Sequence, residues 1–513
     1  MKYLLAINFS CFVIFFLTCQ NNTISTQSYY RDQLMNANRL NPYSGSCFLP
    51  VIESDYNLQH IIRDSSVLYN DMAVDLLKKH MVELEGKDYY LTISVVGQIS
   101  LGRDLLDTLK PKLFQNTRGI LVEGDLFKNF SFSTSFYENQ SRFSQFESQF
   151  IKNNGEFYTY WNGYTQQNGV VSGAARTKPF KSNAFDYAYA VGNFIYKPIK
   201  SLAIIAGNNQ QFIGSGYRSM LLSDNSCGSP YLRLDLKLHS KWTATILRSR
   251  YMNLVRKKTY STVEGYYQPK GFSVNYLSYQ LSKKSTISFF EGSIWSMGDS
   301  LATRSLNPLF FLPCIGMSAI NSKNTYSLYG INFSQILFSK YLVYSQLAIG
   351  SEARNQYAFQ LGARANNPWR LKNTMFQLEL NVAAKNMYTS KNARLNYSNY
   401  NMPIAHIKGS GFKELLIRFN TQYHGYYLDI KSSSYFLKDY NNDALLPVRL
   451  TNQTKSGFVL NNQLEVGYRF NSKLNVNLFG HVILRNEMLD VTNSNLIFQA
   501  GIRTGLMNQY NDY

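Results

Sequence analysis

Apolar and polar residues alternate along most of this chain with a period of two. Residues 232–238 read Leu-Arg-Leu-Asp-Leu-Lys-Leu, and residues 376–382 and 464–470 repeat the pattern. Successive side chains of a β-strand point to opposite faces, so this period predicts strands with one apolar and one polar face. Segments of the same kind recur from about residue 89 to the end, at residues 130–136, 184–196, 359–365, 474–478 and 496–503.

A soluble β-sandwich would show the same alternation. Two features favour a membrane barrel instead. The strand segments continue to the end without a change in composition, separated by short connections rich in Asn, Gly, Lys and Ser, and the chain holds 39 Tyr and 34 Phe. Such an aromatic content is typical of the girdles of membrane barrels. We therefore expect an all-β fold, a large antiparallel transmembrane β-barrel, in which roughly 420 residues at about ten per strand plus connections allow roughly 16–18 strands.

The alternation also predicts which side chains face the lumen. A charge that faces lipid at mid-depth costs about 2–4 kcal/mol for Arg or Lys, so the polar partners in these strands must face inward. Because acidic and basic residues are mixed among them, we expect many to pair across the lumen. They are Arg233, Asp235, Lys237, Arg364, Glu379, Arg418, Glu465, Arg469 and Arg503.

The N-terminus has the pattern of an export signal. Lys2 precedes a mostly apolar run over residues 4–17, which is too short for a confident membrane span. We expect residues 1–26 to be a signal peptide that directs export to the outer membrane. A lipoprotein with Cys19 as the lipidated residue is an alternative, although the residues before Cys19 form a poor lipobox. No later stretch is apolar enough for a membrane helix, so a membrane location requires a closed barrel.

Residues 27–88 lack the two-residue period and are expected to form a helical, periplasmic segment before a barrel over residues 89–513. Asp64 can cap a helix, and Gly86 is a plausible stop. This helix would be either an ordinary packed helix or an element that plugs the periplasmic mouth. Between its ends, apolar residues recur at helical spacing at Val67, Val74, Leu77, Met81 and Leu84.

The formal net charge is +20, which attracts anionic partners. An exported protein rarely meets nucleic acid, so outer-membrane lipid, lipopolysaccharide and acidic surface polysaccharide are the expected partners. Lys and Arg that merely line loops and rims would give the same charge. Cys47, Cys227 and Cys314 are odd in number and widely spaced, which gives no disulfide framework or zinc pattern. No cofactor and no metal are expected.

The sequence does not favour an enzyme. A hydrolase needs a nucleophile, a base and an orienting group, and the six His residues show no triad or metal-site spacing. His406 is the best single candidate, but a structural role in which it bonds the backbone of its loop is favoured. No P-loop, dinucleotide-binding motif or Cys-rich metal motif is present.

Sugar binding needs aromatic platforms beside hydrogen-bonding groups, and two stretches offer both. In the first, Gly214 and Gly216 flank a small residue and allow a bend that aims the following side chains inward or into the rim. The same residues could instead stabilise turns at the barrel mouth. The candidate polysaccharide-binding residues of the two stretches are Tyr217, Arg218, Ser219, Asp224, Tyr397, Tyr400, Asn401 and His406.

Residues 207–224 read GNNQQFIGSGYRSMLLSD and resemble the RemB-type gliding-motility proteins of the Bacteroidota, which are similar in turn to Wzi-type capsule-assembly barrels. The resemblance implies an outer-membrane barrel tied to surface polysaccharide and, in gliding bacteria, to movement over surfaces. The Wzi branch further implies a surface lectin that holds capsule to the cell. Supporting segments, which extend the resemblance over roughly residues 116–513, are 116–119, 136–140, 306–308, 396–406 and 501–504.

The chain departs from this pattern in two places. A charged Arg-Pro-x-Glu-type stretch expected after Pro308 is replaced by Leu-Pro-Cys-Ile-Gly-Met at 312–317, and residues 344–350 lack an expected acidic pair. If those charges serve binding, binding is altered here. We expect a non-enzymatic outer-membrane barrel for capsule attachment or assembly, or for gliding motility, with gliding or export machinery as further partners. The alternative is an outer-membrane channel or porin-like barrel.

The end of the chain adds a further expectation. Outer-membrane barrels commonly finish in a closing strand with a terminal aromatic that the insertion machinery reads, and this sequence ends on Tyr513.

Overall fold

A computed structural model describes most of residues 22–513. Residues 1–21 of the predicted signal peptide lie outside the described residues. The other undescribed residues are 24, 38–45, 53–79, 128, 161–162, 175, 182, 257–266, 299–307, 317–323, 339, 369–370, 442, 451–452, 472–473 and 507.

Eighteen antiparallel strands form a closed barrel, which confirms the predicted fold class at the upper end of the expected strand number. Each strand pairs with its neighbours along the chain, and the last strand pairs with the first to close the wall. The strands are β1 (Tyr89–Asp104), β2 (Lys112–Leu126), β3 (Phe130–Arg142), β4 (Ala184–Ile199), β5 (Leu202–Asn209), β6 (Ser229–Lys237), β7 (Trp242–Arg256), β8 (Tyr267–Ser282), β9 (Ser285–Ser296), β10 (Thr325–Leu337), β11 (Tyr341–Gly350), β12 (Tyr357–Asn366), β13 (Thr374–Ala383), β14 (Phe412–Tyr423), β15 (Tyr426–Tyr440), β16 (Lys455–Asn471), β17 (Val476–Met488) and β18 (Thr492–Arg503).

Shorter strands and helices attach to the barrel wall or lie beside it. Four short strands attach to the barrel sheet, at Val82–Glu85, Glu156–Tyr160, Gly163–Gln167 and Lys178–Phe180. Two short two-stranded sheets lie apart from it, Phe48–Leu49 with Phe212–Ile213 and Ser398–Asn399 with Met402–Pro403. The described helices are the α-helices Ser28–Ala37 and Gln145–Asn153 and the 3-10 helices Pro308–Phe311 and Ala393–Leu395. Within the described part of the chain, no helix has both the length and the hydropathy to cross a membrane.

The two-residue period sorts the strand side chains between the outer wall and the lumen. Leu378 and Leu380 are exposed on the outside, whereas Glu379 between them is fully buried inside. The prediction of inward-facing polar residues is confirmed for the buried Arg233, Arg364, Glu379, Arg418 and Arg469, and Glu465 and Arg503 pair with each other. Lys237 is exposed instead, because its strand ends there at the rim.

The two ends of the barrel differ in the length of their connections. One end, here called the turn end, carries eight short turns, and the chain enters β1 and leaves β18 there. One of the three two-residue turns, at His424 and Gly425, has both residues at positive φ (46° and 86°), as a type I′ hairpin turn requires. The opposite end, here called the loop end, carries the longer connections, which include residues 143–183, 210–228 and 384–411.

Two sequence-based expectations are corrected. The helix predicted after Asp64 falls mostly outside the described residues, and where it is described, residues 82–85 form a strand paired with residues 90–93 of β1. The apolar and polar residues of Val-Glu-Leu-Glu alternate, so the strand period takes precedence there over the helical one. The terminal aromatic does not lie in a closing strand, because β18 ends at Arg503 and the following residues turn into the lumen, where Tyr513 stacks on Phe150.

Candidate functional site

The connection between β5 and β6 folds into the lumen rather than outward. This inner loop, residues 210–228, is buried almost throughout. Gly214 and Gly216 permit the close approach: a Cβ on Gly214 would lie 2.3 Å from Gln346 Nε2, and one on Gly216 would lie 2.6 Å from Glu379 Oε2. Gly214 also has a φ of 121°, which side chains rarely adopt. The inward bend predicted at these glycines is therefore confirmed.

Polar side chains of the barrel wall hold the backbone of the inner loop. Glu379 accepts hydrogen bonds from the backbone N–H groups of Tyr217 at 2.8 Å and Arg218 at 3.1 Å. Gln346 accepts one from the Met220 N–H at 2.7 Å, and Gln360 donates to the Arg218 carbonyl at 3.0 Å. These bonds satisfy backbone groups that are buried away from water, which is the condition for an irregular segment inside a barrel.

Arg218 is the electrostatic centre of the inner loop. Its Nη2 lies 2.8 Å from Asp512 Oδ2 and 3.1 Å from Glu414 Oε1, and it donates to the Tyr435 hydroxyl at 2.8 Å. Burial alone would lower the pKa of Arg218, but the two carboxylates raise it well above its ordinary value. Burial likewise opposes ionisation of Asp512, but Arg218 and Lys431 hold its pKa well below the ordinary range. This buried cluster is ionised as a unit.

The other predicted residues of the inner loop also have protein partners. The Tyr217 hydroxyl accepts from Lys431 Nζ at 3.0 Å, and the guanidinium of Arg418 lies 4.5 Å from the centre of its ring. Ser219 Oγ donates to the Ile213 carbonyl at 2.6 Å. Asp224 accepts from Asn508 Nδ2 and from the Tyr510 hydroxyl, both at 2.7 Å.

The second predicted group, in the connection between β13 and β14, packs against the first. Tyr397 donates to the Leu221 carbonyl at 2.8 Å, and Asn401 donates to the Gly155 carbonyl at 2.8 Å. Tyr400 is partly buried, and its N–H donates to the Met252 carbonyl at 2.9 Å.

His406 lies inside this second group and is fully buried. Its Nδ1 accepts from the Lys408 N–H at 3.1 Å, which leaves the proton on Nε2, 2.7 Å from Glu414 Oε2. Burial lowers the pKa of His406 although Glu414 opposes the shift. The favoured structural role, bonding the backbone of its own loop, is confirmed.

Two further segments enter the lumen. The sequence analysis expected a helical segment within residues 27–88 and weighed a plug at the periplasmic mouth, but it predicted neither the position of this helix nor the entry of the tail. In the helix Ser28–Ala37, Asp32 lies 2.8 Å from Arg364 Nη1 and 3.0 Å from Arg418 Nη2, and Arg31 donates to the Tyr217 carbonyl at 3.2 Å. In the tail, residues 504–513, Asp512 pairs with Lys431 at 3.0 Å as well as with Arg218. We call residues 28–37, 210–228 and 504–513 together the lumen plug.

The eight predicted residues are thus brought together in one interior, where Glu414 links Arg218 to His406. Glu414, Gln346 and Gln360 were not predicted. Gln360 alternates with the apolar Phe359 and Leu361, and this was the signal that could have found it. The polar residues that precede Glu414 and Gln346 in their strands obscure that alternation.

Two of the cavities that the described residues enclose lie beside the plug. The lumen cavity, of about 660 Å³, lies towards the turn end and is lined mostly by amides and charged groups, among them Gln98, Gln422, Asn477 and Arg503, together with Tyr217 of the plug. The loop-end pocket, of about 430 Å³, lies between the long loops and contains the predicted residue Asn401. Within the described residues, no group of His, Cys, Asp and Glu could hold a metal ion.

A short helix supplies the aromatic wall of the loop-end pocket. Ser144 and Glu147 form a capping box that starts the helix Gln145–Asn153, with the Ser144 N–H donating to Glu147 Oε2 at 3.0 Å. Phe146 and Phe150 are four residues apart, so they lie on one face of that helix. The Phe150 ring stacks on Tyr513 with 3.6 Å between ring centres.

Polar groups surround these rings. The Arg485 guanidinium lies 4.6 Å from the centre of the Phe146 ring, and Lys408 Nζ lies 5.4 Å from that of Tyr440. Burial lowers the pKa of Lys408 to about 7. The pocket therefore combines aromatic faces with hydrogen-bonding amides and cationic groups; its polar lining includes Asn153, Asn441, Asn493, Lys455 and Glu487.

Comparisons with known proteins agree with the fold. Neither a family model nor a curated protein sequence matches the chain. Among solved structures, Wzi of Escherichia coli, described as an outer membrane protein involved in group 1 capsule assembly and a carbohydrate-binding β-barrel, matches 95% of this chain and 100% of its own, with 12% identity and a TM-score of 0.56. OccAB2 of Acinetobacter baumannii and OprD of Pseudomonas aeruginosa match 81% and 83% of this chain and 98% and 97% of their own, with 8% and 10% identity and TM-scores of 0.44 and 0.43. The fold is therefore that of a large closed β-barrel and resembles the barrel of an outer-membrane protein, and the likeness to Wzi extends to the fold alone.

Proposed function

We propose that this protein is an outer-membrane barrel that binds surface polysaccharide at its loop end. It would thereby attach or assemble capsule, or support gliding movement as the RemB resemblance implies, without catalysing a reaction. The loop-end pocket is the observation that carries the proposal, because it places aromatic faces, amides and cations side by side above a lumen that the plug occupies.

The orientation of the barrel supports this placement. In outer-membrane barrels the short turns face the periplasm and the long loops face the exterior. The eight short turns and both ends of the barrel chain lie at the turn end. The loop-end pocket would therefore open towards the cell exterior, where surface polysaccharide is found, once the predicted signal peptide has directed export.

The chemistry of the pocket suits an acidic polysaccharide. The apolar face of a sugar ring packs on aromatic side chains such as Phe150 and Tyr440, and its hydroxyls bond to amides such as Asn441. Lys455 supplies positive charge for a carboxylate or phosphate on the sugar, whereas the Arg485 guanidinium is already paired with Glu487. A volume of about 430 Å³ is in the range of ligand pockets.

The eight candidate residues divide within this proposal. Asn401 lines the pocket, but its amide already donates to the Asn154 and Gly155 carbonyls, so it is proposed to shape the pocket wall. Tyr217, Arg218, Ser219, Asp224, Tyr397, Tyr400 and His406 are proposed to support the pocket from below, since protein groups already satisfy the polar atoms described above.

A channel is the second candidate, and the lumen cavity favours it. The cavity has a volume of about 660 Å³ and a polar lining, which would suit a hydrated solute. Passage through the barrel would require the plug to move, which would break the buried ion pairs of Arg218 and Asp32.

The test is a binding titration of the refolded protein with purified capsule polysaccharide and lipopolysaccharide. The proposal predicts saturable binding that Phe150→Ala weakens about tenfold, as expected for an aromatic anchor in a pocket. Phe311→Ala is the matched control, because Phe311 is a loop-end aromatic that is 52% exposed and does not line the pocket. No binding by the folded protein, or equal loss in both variants, would refute the proposed site. A deletion strain that loses capsule retention or surface spreading then separates the capsule role from the gliding role.

A further inference from the structure

The eight turns at the turn end share an unusual charge. They contain eight Lys and one Arg, and none contains Asp or Glu. The loops behave differently, because eight of the nine loop-end connections carry at least one acidic residue. The turns are residues 127–129, 200–201, 238–241, 283–284, 338–340, 367–373, 424–425 and 472–475.

Five consecutive turns around the barrel carry exposed lysines. These turns join β4 to β5, β6 to β7, β8 to β9, β10 to β11 and β12 to β13, so they follow one another along about half of the rim. None of their exposed lysines forms an ion pair with another described residue. We call this set the lysine rim; it consists of Lys200, Lys241, Lys283, Lys284, Lys340 and Lys372.

Large apolar side chains lie between these lysines. Leu238, Phe338 and Leu371 belong to the same turns and are 60%, 84% and 51% exposed. Phe127, in the neighbouring turn between β2 and β3, is 75% exposed. A soluble protein gains nothing from such side chains in water, whereas the boundary between acyl chains and headgroups accommodates an apolar residue beside a cation.

We propose that the lysine rim docks the headgroups of anionic glycerophospholipids in the leaflet that surrounds the turn end. The inference rests on the membrane location in the proposed function but does not depend on polysaccharide binding. The charge of the rim is complementary to a phosphate that lacks a balancing amine, and each lysine near a membrane surface strengthens binding of anionic lipid by about fivefold. The exposed Phe and Leu side chains distinguish a lipid from a free phosphate or an acidic soluble protein, because only a lipid supplies acyl chains for them.

Trp242 provides a built-in reporter for this lipid shell. It follows Lys241 directly, and its ring centre lies 4.4 Å from that of Tyr279. In β7, Thr245 and Leu247 are buried, so the alternation places Trp242 with the outward-facing residues. Replacement of the other three tryptophans by Phe, at residues 161, 295 and 369, leaves Trp242 as the single tryptophan, which can be excited selectively at wavelengths that Tyr does not absorb.

The experiment reconstitutes this single-tryptophan protein in bilayers that contain brominated phosphatidylglycerol or brominated phosphatidylcholine at equal mole fraction. Bromine quenches tryptophan on contact, so the two quenching curves give the relative binding constant of the two lipids at the turn end. We expect phosphatidylglycerol to be preferred by at least about fivefold at low salt, with the preference decreasing as salt screens the charges.

Two variants, which lose six lysines each, show which end of the barrel causes the preference for phosphatidylglycerol. Replacing all six rim lysines by Gln should bring the ratio close to one. Replacing six exposed loop-end lysines by Gln should leave it unchanged; these control positions are Lys112, Lys152, Lys178, Lys391, Lys413 and Lys438. A heat-modifiable band on gels confirms that each variant is folded.

The remaining outcomes overturn the inference. Equal quenching by the two lipids in the unaltered rim, or a preference that survives in the rim variant, would refute lipid selection by the rim and leave polysaccharide binding untouched. A lipid preference that is lost equally in both variants would show a general effect of net charge, and this result would also refute lipid selection by the rim. Absence of quenching by either lipid would contradict the membrane location itself, and the proposed function would fail with it.

Discussion

Arg218 Nη2 lies 2.8 Å from Asp512 Oδ2, although the two residues come from different segments that enter the lumen separately. Lys431 of β15 contacts the same carboxylate at 3.0 Å, and Glu414 of β14 contacts the same guanidinium at 3.1 Å. The inner loop, the tail and the barrel wall are therefore joined by one buried set of charges. Removal of one charged group leaves its partners buried without a counter-charge. This set of ion pairs therefore determines how firmly the plug is held in the lumen.

Asp512→Asn should release the tail from the lumen. The substitution leaves Arg218 and Lys431 without their shared carboxylate, and loss of one partner from a buried ion pair costs about 3–5 kcal/mol. We expect a lower midpoint of thermal unfolding and faster proteolysis after residue 503 in the folded barrel. Asp439→Asn is the control, because its ion pair with Lys385 is about half exposed and should change stability by less than about 1 kcal/mol. A tail equally protected in both variants would show that the ion pairs do not hold it.

Gly214→Ala should loosen the inner loop. The added Cβ would meet Gln346 Nε2 at 2.3 Å on a backbone with a φ of 121°, so we expect a cost of about 1–3 kcal/mol. Hydrogen exchange of the backbone amides in residues 210–228, measured in detergent, reports the loosening. Gly480→Ala is the control, because its Cβ would meet only Val466 Cγ2, at 3.9 Å. Unchanged protection of the inner loop in Gly214→Ala would contradict the described packing.

Stability should decrease as the pH falls from about 7 towards 5, and His406 should account for part of the decrease. Burial lowers the pKa of His406 below its unfolded value of 6.5, despite Glu414 and Asp512, so the unfolded chain takes up a proton that the folded chain refuses. Protonation of the unfolded state therefore reduces the free energy of unfolding below about pH 6.5, and the effect levels off below the folded pKa. The midpoint of thermal unfolding should be less sensitive to pH in His406→Gln than in the wild type. An identical pH dependence in both proteins would contradict a neutral His406.

Lys455→Gln should weaken binding of an acidic polysaccharide by about two- to fivefold, because a partly exposed charge contributes less than about 1 kcal/mol. Binding of a neutral polysaccharide of similar length should not change, and the difference should disappear at high salt. Lys438→Gln, which alters an exposed lysine that does not line the pocket, serves as the control. Equal weakening by the two substitutions would indicate general attraction to a basic surface.

The sequence predicted the strands of the barrel wall far better than the segments that form the lumen plug. Alternation in stretches such as Leu-Glu-Leu at residues 378–380 is a local signal, because every strand of a closed barrel has one outward and one inward face, so fold class and inward-facing residues could be read directly. The pair Gly214 and Gly216 likewise indicated a bend. The plug gave no comparable signal, because contacts such as Asp32 with Arg418 join residues that are far apart in the sequence and depend on three-dimensional packing.

The C-terminal residues also show that a local sequence pattern does not predict long-range packing. An aromatic at the chain end suggested a closing strand, but Tyr513 stacks on Phe150 inside the loop end, and only the folded barrel brings those rings together. Partners of this kind also explain why most of the predicted polysaccharide-binding residues lie buried against protein groups.

Conductance across a planar bilayer tests most directly whether this barrel is a plugged binding protein or a channel. We expect little steady conductance for the wild-type protein, because the helix, the inner loop and the tail occupy the lumen, and a clear increase for Asp512→Asn. Free ion flow through the wild-type protein, in a preparation that also fails to bind polysaccharide, would contradict a plugged binding barrel.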